Sequence, residues 1–235
     1  MRIGIGLLGR KVGMTQVFDE AGRAVPVTVV EAGPCTIVQK KTTEKDGYEA
    51  VQLGYLPAKP KQVSKPLGGR FAKVNMAPMR HLQEMRLHSA AEYHAGQTLT
   101  VDLFAAGEEV VVTGTSKGRG FQGGVKRWGY RGGAKSHGSM FHRAPGSIGA
   151  SSFPSRVFKG HRMPGRMGGA QVTIRGVHVV RSDSGRNLLL IRGAVPGPQG
   201  GLVAVRKIGK GVGGAVGSPA DASGEKNTKQ EVERA

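Results

Sequence analysis

The stretch from Val110 to Ser182 contains no aspartate and no glutamate, yet it carries thirteen Lys and Arg residues. The chain has 35 such cations, so 22 remain elsewhere against 16 acids, and most of the formal net charge of +19 sits in this one stretch. Its central part, Ser116 to Arg166, adds twelve glycines and has no apolar run long enough to seat a helix or strand in a core. Ordering a backbone costs about 1 to 2 kcal/mol per residue, and such a segment buries too little apolar area to offset that cost. It needs a partner to fold against. Clustered cations repel one another, so the partner is expected to be a dense polyanion. Nucleic acid fits best, because each neutralised phosphate also releases a counterion. A solvated basic loop or tail is the simpler reading. Against it, such tails seldom interleave aromatic residues with their cations, as Phe121, Trp128, Tyr130, Phe141 and Phe153 do here.

A length of 235 residues allows one domain or two, and 38% hydrophobic content permits one real core. Glycine, at 39 residues, is more than double its usual share of roughly 7%. Much of the backbone must therefore turn, or press closely against something else. Cys35 is the only cysteine, which rules out an internal disulfide and a cysteine-based zinc site and points to a reduced, intracellular protein. It reads as a small buried hydrophobe. The opening apolar stretch, Ile3 to Leu8, is too short for a signal peptide or for the ~20 residues a bilayer span requires, so a soluble protein is expected.

Short β-branched runs separated by turns predict strands at Met14–Phe18, Val25–Glu31, Thr36–Lys40 and Glu49–Tyr55, with a turn at Asp46-Gly47. Strands at this spacing predict a small antiparallel barrel or sandwich. The run Val25–Glu31 is apolar on both faces at several positions, which favours a closed core. Prolines and lysines from Pro57 to Pro78 predict a surface connection. Beyond it, strands are expected at His81–Leu87, Thr98–Phe104 and Val110–Thr113, with a helical turn at Ser89–Tyr93. Three more strands, Gln171–Val180, Asn187–Arg192 and Leu202–Lys207, complete the set after the acid-free excursion, within which Phe121–Trp128 is expected to form a short helix. The expected organisation is a discontinuous β-barrel body, residues 1–115 and 167–211, with an irregular insertion at 57–97. A basic extension occupies 116–166 and a disordered tail 212–235. Fifty-one residues folded back on themselves reach at most about 80 Å.

No catalytic set is legible. The extension has no carboxylate to serve as general base or metal ligand. His137, His142 and His161 match no familiar metal spacing and lie among cations, so they are expected to hydrogen-bond RNA rather than hold a metal. The run Gly114 to Gly120, GTSKGRG, follows a predicted strand but lacks the spacing and the terminal Gly-Lys-Ser/Thr of a Walker loop. It suits exposed amides meeting RNA phosphate better than a nucleotide triphosphate. Trp128, flanked by Lys126, Arg127 and Arg131, is read as facing RNA, with a place in the root of the extension as the alternative. A long adaptable arm suits folded RNA, whereas a reader of duplex DNA would more often show a recognition helix.

Seven blocks carry a resemblance to a known family. They are LLGRKVGMTQVF (Leu7–Phe18), PLGGRFAK (Pro66–Lys73), GTSKGRGFQGGVKRW (Gly114–Trp128), SHG (Ser136–Gly138), HRAPGSIG (His142–Gly149), RVFKGHRMPGRMG (Arg156–Gly168) and NLLLIRGAVPGPQG (Asn187–Gly200). In this order they resemble the bacterial large ribosomal subunit protein three family, and the likeness runs to about Lys210. The resemblance implies a mainly β fold: a translation-protein-type β-barrel body with a long, irregular, glycine-rich basic internal extension. It implies a non-enzymatic cytoplasmic constituent of the large ribosomal subunit. Such a protein binds 23S rRNA directly near its 3′ end, acts early in assembly and reaches toward the peptidyl transferase centre. Large-subunit proteins fourteen and nineteen are the implied neighbours, with no cofactor, metal, membrane or small-molecule substrate. A general basic architectural protein and a nucleic-acid-acting enzyme on a similar barrel are the rival readings.

On this reading Lys117, Arg119, Lys126, Arg127, Arg131, Lys135, Arg143, Arg156, Lys159, Arg162 and Arg166 supply phosphate contacts, His137, His142 and His161 hydrogen-bond RNA, and Trp128 offers a platform for an unstacked base. The inner tip is Gly146, Ser147, Ile148, Gly149, Ala150, Ser151, Ser152, Phe153 and Pro154. Two positions depart from the family pattern. Val111 stands where Asp or Asn is usual, in a predicted strand, so barrel packing should feel the change more than RNA contact does. Ala150 to Phe153 follow GSIG where some members carry a methylated glutamine, so that modification is expected to be absent.

Overall fold

In a computed structural model, residues 2–209 are described, so the expected tail at 212–235 lies outside the described residues. The chain runs β1 (Arg2–Phe18), β2 (Ala24–Ala32), β3 (Cys35–Lys41), α1 (Thr43–Asp46), β4 (Ala50–Pro57), α2 (Lys65–Lys73), β5 (Met79–Arg86), β6 (Thr98–Leu99) and β7 (Glu109–Thr115). It continues with β8 (Phe121–Gln122), α3 (Gly124–Trp128), β9 (Gly165–Arg166), β10 (Gln171–Asp183), β11 (Leu188–Arg192) and β12 (Leu202–Gly209). The fold is mainly β, as expected.

Six strands close a barrel in the order β1-β12-β7-β10-β11-β2, every neighbouring pair antiparallel. Closure depends on β1 serving two partners. Arg2 to Arg10 pair with β12, and Gly9 to Phe18 pair with β2. The strand expected at Met14–Phe18 is therefore only the second part of one 17-residue strand. It bends where the register shifts, between Ile3 and Gly6 and again between Lys11 and Gly13. At the crossing the backbones nearly touch: a Cβ on Gly6 would lie 2.0 Å from the carbonyl oxygen of Val205, and one on Gly9 2.6 Å from that of Glu31.

The barrel does not take in every predicted strand. After β2, Gly33 at φ 72° turns the chain out of it, and β3 pairs instead with β4 and β6 in a separate four-stranded sheet ordered β5-β4-β3-β6. This sheet lies against β1, whose consecutive residues Leu7 and Leu8 point to opposite faces and are both fully buried. One core results. Val110, Val112, Leu189, Ile191, Val203 and Val205 from the barrel join Ile37, Val51, Leu53, Tyr55 and Met85 from the second sheet. Val111 is buried too, as its place in a strand requires. Cys35 is fully enclosed, its thiol exchanging hydrogen bonds with the Leu8 backbone: Leu8 N–H donates to Sγ at 3.3 Å, and the thiol donates to Leu8 O at 3.4 Å.

Two expectations are corrected. The segment 57–97 is less irregular than its prolines indicated, since Lys65–Lys73 is helical; β5 corresponds to the strand expected at His81–Leu87 and pairs with β4. Helix α2 forms because Pro66 occupies its first turn, where a missing N–H costs nothing, and because Phe71 buries against the body. Thr98–Phe104 holds a two-residue strand and then a 3₁₀ turn at Val101–Leu103, because Val101 and Phe104 are both drawn into the core. Ser89–Tyr93, expected as a helical turn, forms an isolated turn closed by Tyr93 N–H to Ala90 O at 3.1 Å.

Two outcomes follow from these contacts. Gly6→Ala should destabilise the protein by about 1 to 3 kcal/mol, since the barrel must shift to admit the methyl. Gly13→Ala, with open space around it, should change the denaturant midpoint little. Burial pushes the Cys35 thiol from its ordinary 9.0 up to about 11. Above pH 9 the unfolded chain then sheds this proton while the folded chain keeps it, so stability falls between pH 9 and 11. The decline is about 1.4 kcal/mol per pH unit. Replacing Cys35 by Ala should remove that slope from a pH series of unfolding curves.

Candidate nucleic-acid interface

Strands β7 and β10 are neighbours in the barrel, and their ladder ends with Thr115 opposite Gln171. The pairing continues outward. Ser116 N–H donates to Ala170 O at 2.9 Å, Arg119 N–H to Met167 O at 2.9 Å, and Met167 N–H to Gly120 O at 2.9 Å. Phe121 and Gln122 then pair with Arg166 and Gly165 in the short β8-β9 ribbon. The acid-free excursion thus leaves the body as a two-stranded stalk.

Helix α3 follows and ends at Gly129, whose φ of 73° reverses the chain in the left-handed conformation that glycine adopts freely. Three side chains pin this turn to the returning limb. Arg127 Nη1 and Trp128 Nε1 both donate to Met163 O, at 2.8 and 2.9 Å, and the Tyr130 hydroxyl donates to Arg162 O. The guanidinium carbons of Arg127 and Arg162 lie 5.0 and 5.5 Å from the Trp128 ring. Trp128 therefore braces the root of the arm through its N–H while keeping 40% of its surface exposed. No local pattern in the sequence signals the Tyr130 and Met163 contacts, because the bonded partners lie more than thirty positions apart.

The glycines divide into two groups. At Gly133 an added Cβ would lie 1.7 Å from Phe141 O, at Gly132 2.4 Å from His142 O, and at Gly168 2.1 Å from Lys117 O. Gly168 lets the two limbs of the stalk pack backbone to backbone, while Gly132 and Gly133 do the same for a local mid-arm loop, where Gly133 N–H donates to His142 O at 3.0 Å. By contrast Gly118, Gly120, Gly123, Gly138 and Gly160 have nothing within 4 Å. That second group fits close approach by another molecule, the role expected for the arm's glycines in general.

No residue from Thr115 to His178 is buried. The arm instead exposes large apolar groups: Met140 is 98% and Phe153 89% accessible, with Phe121 and Phe158 also open. Of the expected contact residues, Lys117, Arg119, Lys126, Arg131, Lys135, Arg143, Arg156, Lys159, Arg162 and Arg166 are exposed, and Arg127 is partly covered by its bond to Met163. The ion pairs among the described residues, Arg10–Glu31, Arg23–Asp19, Lys41–Glu84 and Lys207–Glu108, involve none of them. His137, His142 and His161 are all exposed, and His142 Nδ1 lies 2.9 Å from Ala134 O. The tip from Gly146 to Pro154 folds on local bonds, such as Ser147 Oγ donating to Gly149 O at 2.8 Å. At the base, Lys11 Nζ donates to Val195 O at 2.7 Å. Its pKa is lowered, first by burial and then by the charge of Lys117.

Among the described residues no group of three His, Cys, Asp or Glu side chains is placed to hold a metal, and no helix is long and apolar enough to cross a membrane. Fold and site together define a class: a small closed β-barrel protein bearing one long polycationic arm with no internal counter-charge. Comparison with known proteins narrows that class. Residues 83–187 match the family described as Ribosomal protein L3. The chain is 54% identical over 205 residues to the large ribosomal subunit protein uL3 of Pelotomaculum thermopropionicum, covering 87% of this chain and 97% of that protein. It is 56% identical to the proteins of the same name from Heliobacterium modesticaldum and Acidothermus cellulolyticus, covering 86% and 88% of this chain and 95% and 93% of theirs. The chain belongs to the ribosomal protein L3 family, and is a structural protein rather than an enzyme.

Between Gly129 and Pro164 the backbone has few internal hydrogen bonds and no buried side chain, so its amides should open at little cost in the free protein. Hydrogen exchange without RNA should be fast there and slow in β7, β11 and β12. Equal protection in arm and barrel would contradict this.

Proposed function

We propose that this chain is a structural constituent of the large ribosomal subunit that binds 23S rRNA directly near its 3′ end. Its barrel is the body, and residues 116–166 are an RNA-penetrating arm whose tip, Gly146 to Pro154, reaches toward the peptidyl transferase centre. The named relatives are large-subunit proteins, which supports the assignment to that particle. One observation carries the RNA reading: eleven cations on an arm with no acid, no ion pair among the described residues and no buried residue. Such a surface gains free energy chiefly by exchanging counterions for phosphates.

The contacts divide by type. Exposed Lys and Arg meet phosphates and fix position rather than read sequence. Met140, Phe153 and Phe158 stack against bases or sugars, removing apolar surface that the protein itself leaves open. His137, His142 and His161 donate to or accept from RNA groups. An early place in assembly follows physically, since an arm of this kind is easier to fold around during RNA compaction than to thread afterwards. Large-subunit proteins fourteen and nineteen are the neighbours we assign to the body, in the cytoplasmic ribosome.

If roughly 6 to 10 phosphates are neutralised, affinity for a 23S rRNA transcript should fall about 10³ to 10⁵-fold between ~50 and ~200 mM salt. A near-flat salt response would exclude the model, and equal affinity for unrelated duplex DNA would favour a general architectural protein instead. Crosslinking within the assembled particle should join arm residues to rRNA nucleotides.

A further inference from the structure

A second acid-free stretch, Ala50 to Gln83, carries six cations: Lys59, Lys61, Lys65, Arg70, Lys73 and Arg80. All six are exposed, and none takes part in an ion pair among the described residues. Five of them lie on an excursion between β4 and β5 whose ends are tied, Ala58 N–H donating to Pro78 O at 2.8 Å. Phe71 is the only buried residue of that excursion. With Leu67 and Val74 partly covered at helical spacing, it seats α2 and leaves Lys65, Gly69 and Lys73 on the opposite face.

The helix also holds Gly68 and Gly69 in its interior, at a cost of roughly 0.5 to 1 kcal/mol each relative to alanine. Nothing lies within 4 Å of a Cβ at either position, so no contact inside the protein requires a glycine there. The excursion starts from the same end of the body as the arm. Leu56, Arg80 and His81 share a cleft with Arg10 and Leu202, and Gln83 shares the adjoining cleft with Leu202 and the arm's feet, Thr115 and Gln171.

We propose that the excursion from Ala58 to Pro78 is a second RNA-binding element, docking through Lys59, Lys61, Lys65, Arg70 and Lys73 on the phosphate backbone of the same folded rRNA that takes the arm. This rests on the rRNA-binding reading above. An RNA backbone suits the surface better than a protein does. Protein interfaces are built round an apolar or aromatic centre, and no large hydrophobic residue is exposed between Phe18 and Phe121. Unpaired cations around a bare stretch of helix backbone instead match a close-packed sugar-phosphate chain.

The test measures binding of the full chain to a transcript of the 3′ part of 23S rRNA across a salt series. One variant changes the five excursion cations to Gln; a comparator changes Lys117, Arg119, Lys126, Arg131 and Lys135 to Gln. The excursion variant should bind more weakly, with a salt slope shallower by about 0.9 for each phosphate it no longer neutralises. Its unfolding midpoint should stay that of the parent, because Phe71 is untouched. The smaller K65Q/K73Q variant should show a slope change of about 2 and guards against a folding defect in the first. Parent-like affinity and slope in both excursion variants, while the comparator is impaired in both, would overturn this proposal and leave the arm reading intact. An unchanged slope in all three would overturn the two together.

Discussion

The pairing of β7 with β10 inside a closed barrel is the constraint on which the rest of the structure depends. It places Thr115 and Gln171 opposite one another, and so fixes both feet of a 55-residue excursion to adjacent strands of a rigid body. A barrel has no free edge, so neither strand can slip without breaking hydrogen bonds on both sides. Closure in turn needs β1 to bridge β12 and β2. The strand can bend that tightly only because Gly6 and Gly9 leave no side chain between crossing backbones. A disordered segment attached to a flexible body would present its charge in every direction. Attached here, it is aimed.

Electrostatics and packing are divided between the parts. The body holds all four ion pairs of the described residues and the whole core, so it is self-sufficient. The arm has a covalent address and a pinned root, with Arg127, Trp128 and Tyr130 bonded to the carbonyls of Met163 and Arg162, but no interior. Its free energy of ordering must come from outside. The glycines reflect the same division, some leaving room for other backbone of the arm and others facing open space.

Much was legible in the sequence. Strands β2, β3, β4, β7, β10, β11 and β12 fall within a few residues of the runs that predict them, because β-branched alternation bounded by Gly and Asp is a local signal. The short helix expected at Phe121–Trp128 is present only from Gly124, because Phe121 and Gln122 pair with Arg166 and Gly165, and Cys35 is buried as expected. Helix α2 was not legible, because Gly68 and Gly69 argue locally against a helix, and the seat of Phe71 on the body outweighs them. The split of the strands between barrel and second sheet was equally hidden. It turns on Gly33, one residue whose local signal is an ordinary turn.

Sequence alone determined the charge map, the acid-free stretch and hence the need for a polyanionic partner, because composition fixes how much apolar area a segment can bury and how many cations it cannot neutralise. Tertiary structure decided where that stretch points, which glycines serve the protein itself, and that Trp128 braces the root of the arm. Those depend on contacts between residues eight to more than fifty positions apart, and no local pattern encodes which distant backbone a residue will meet.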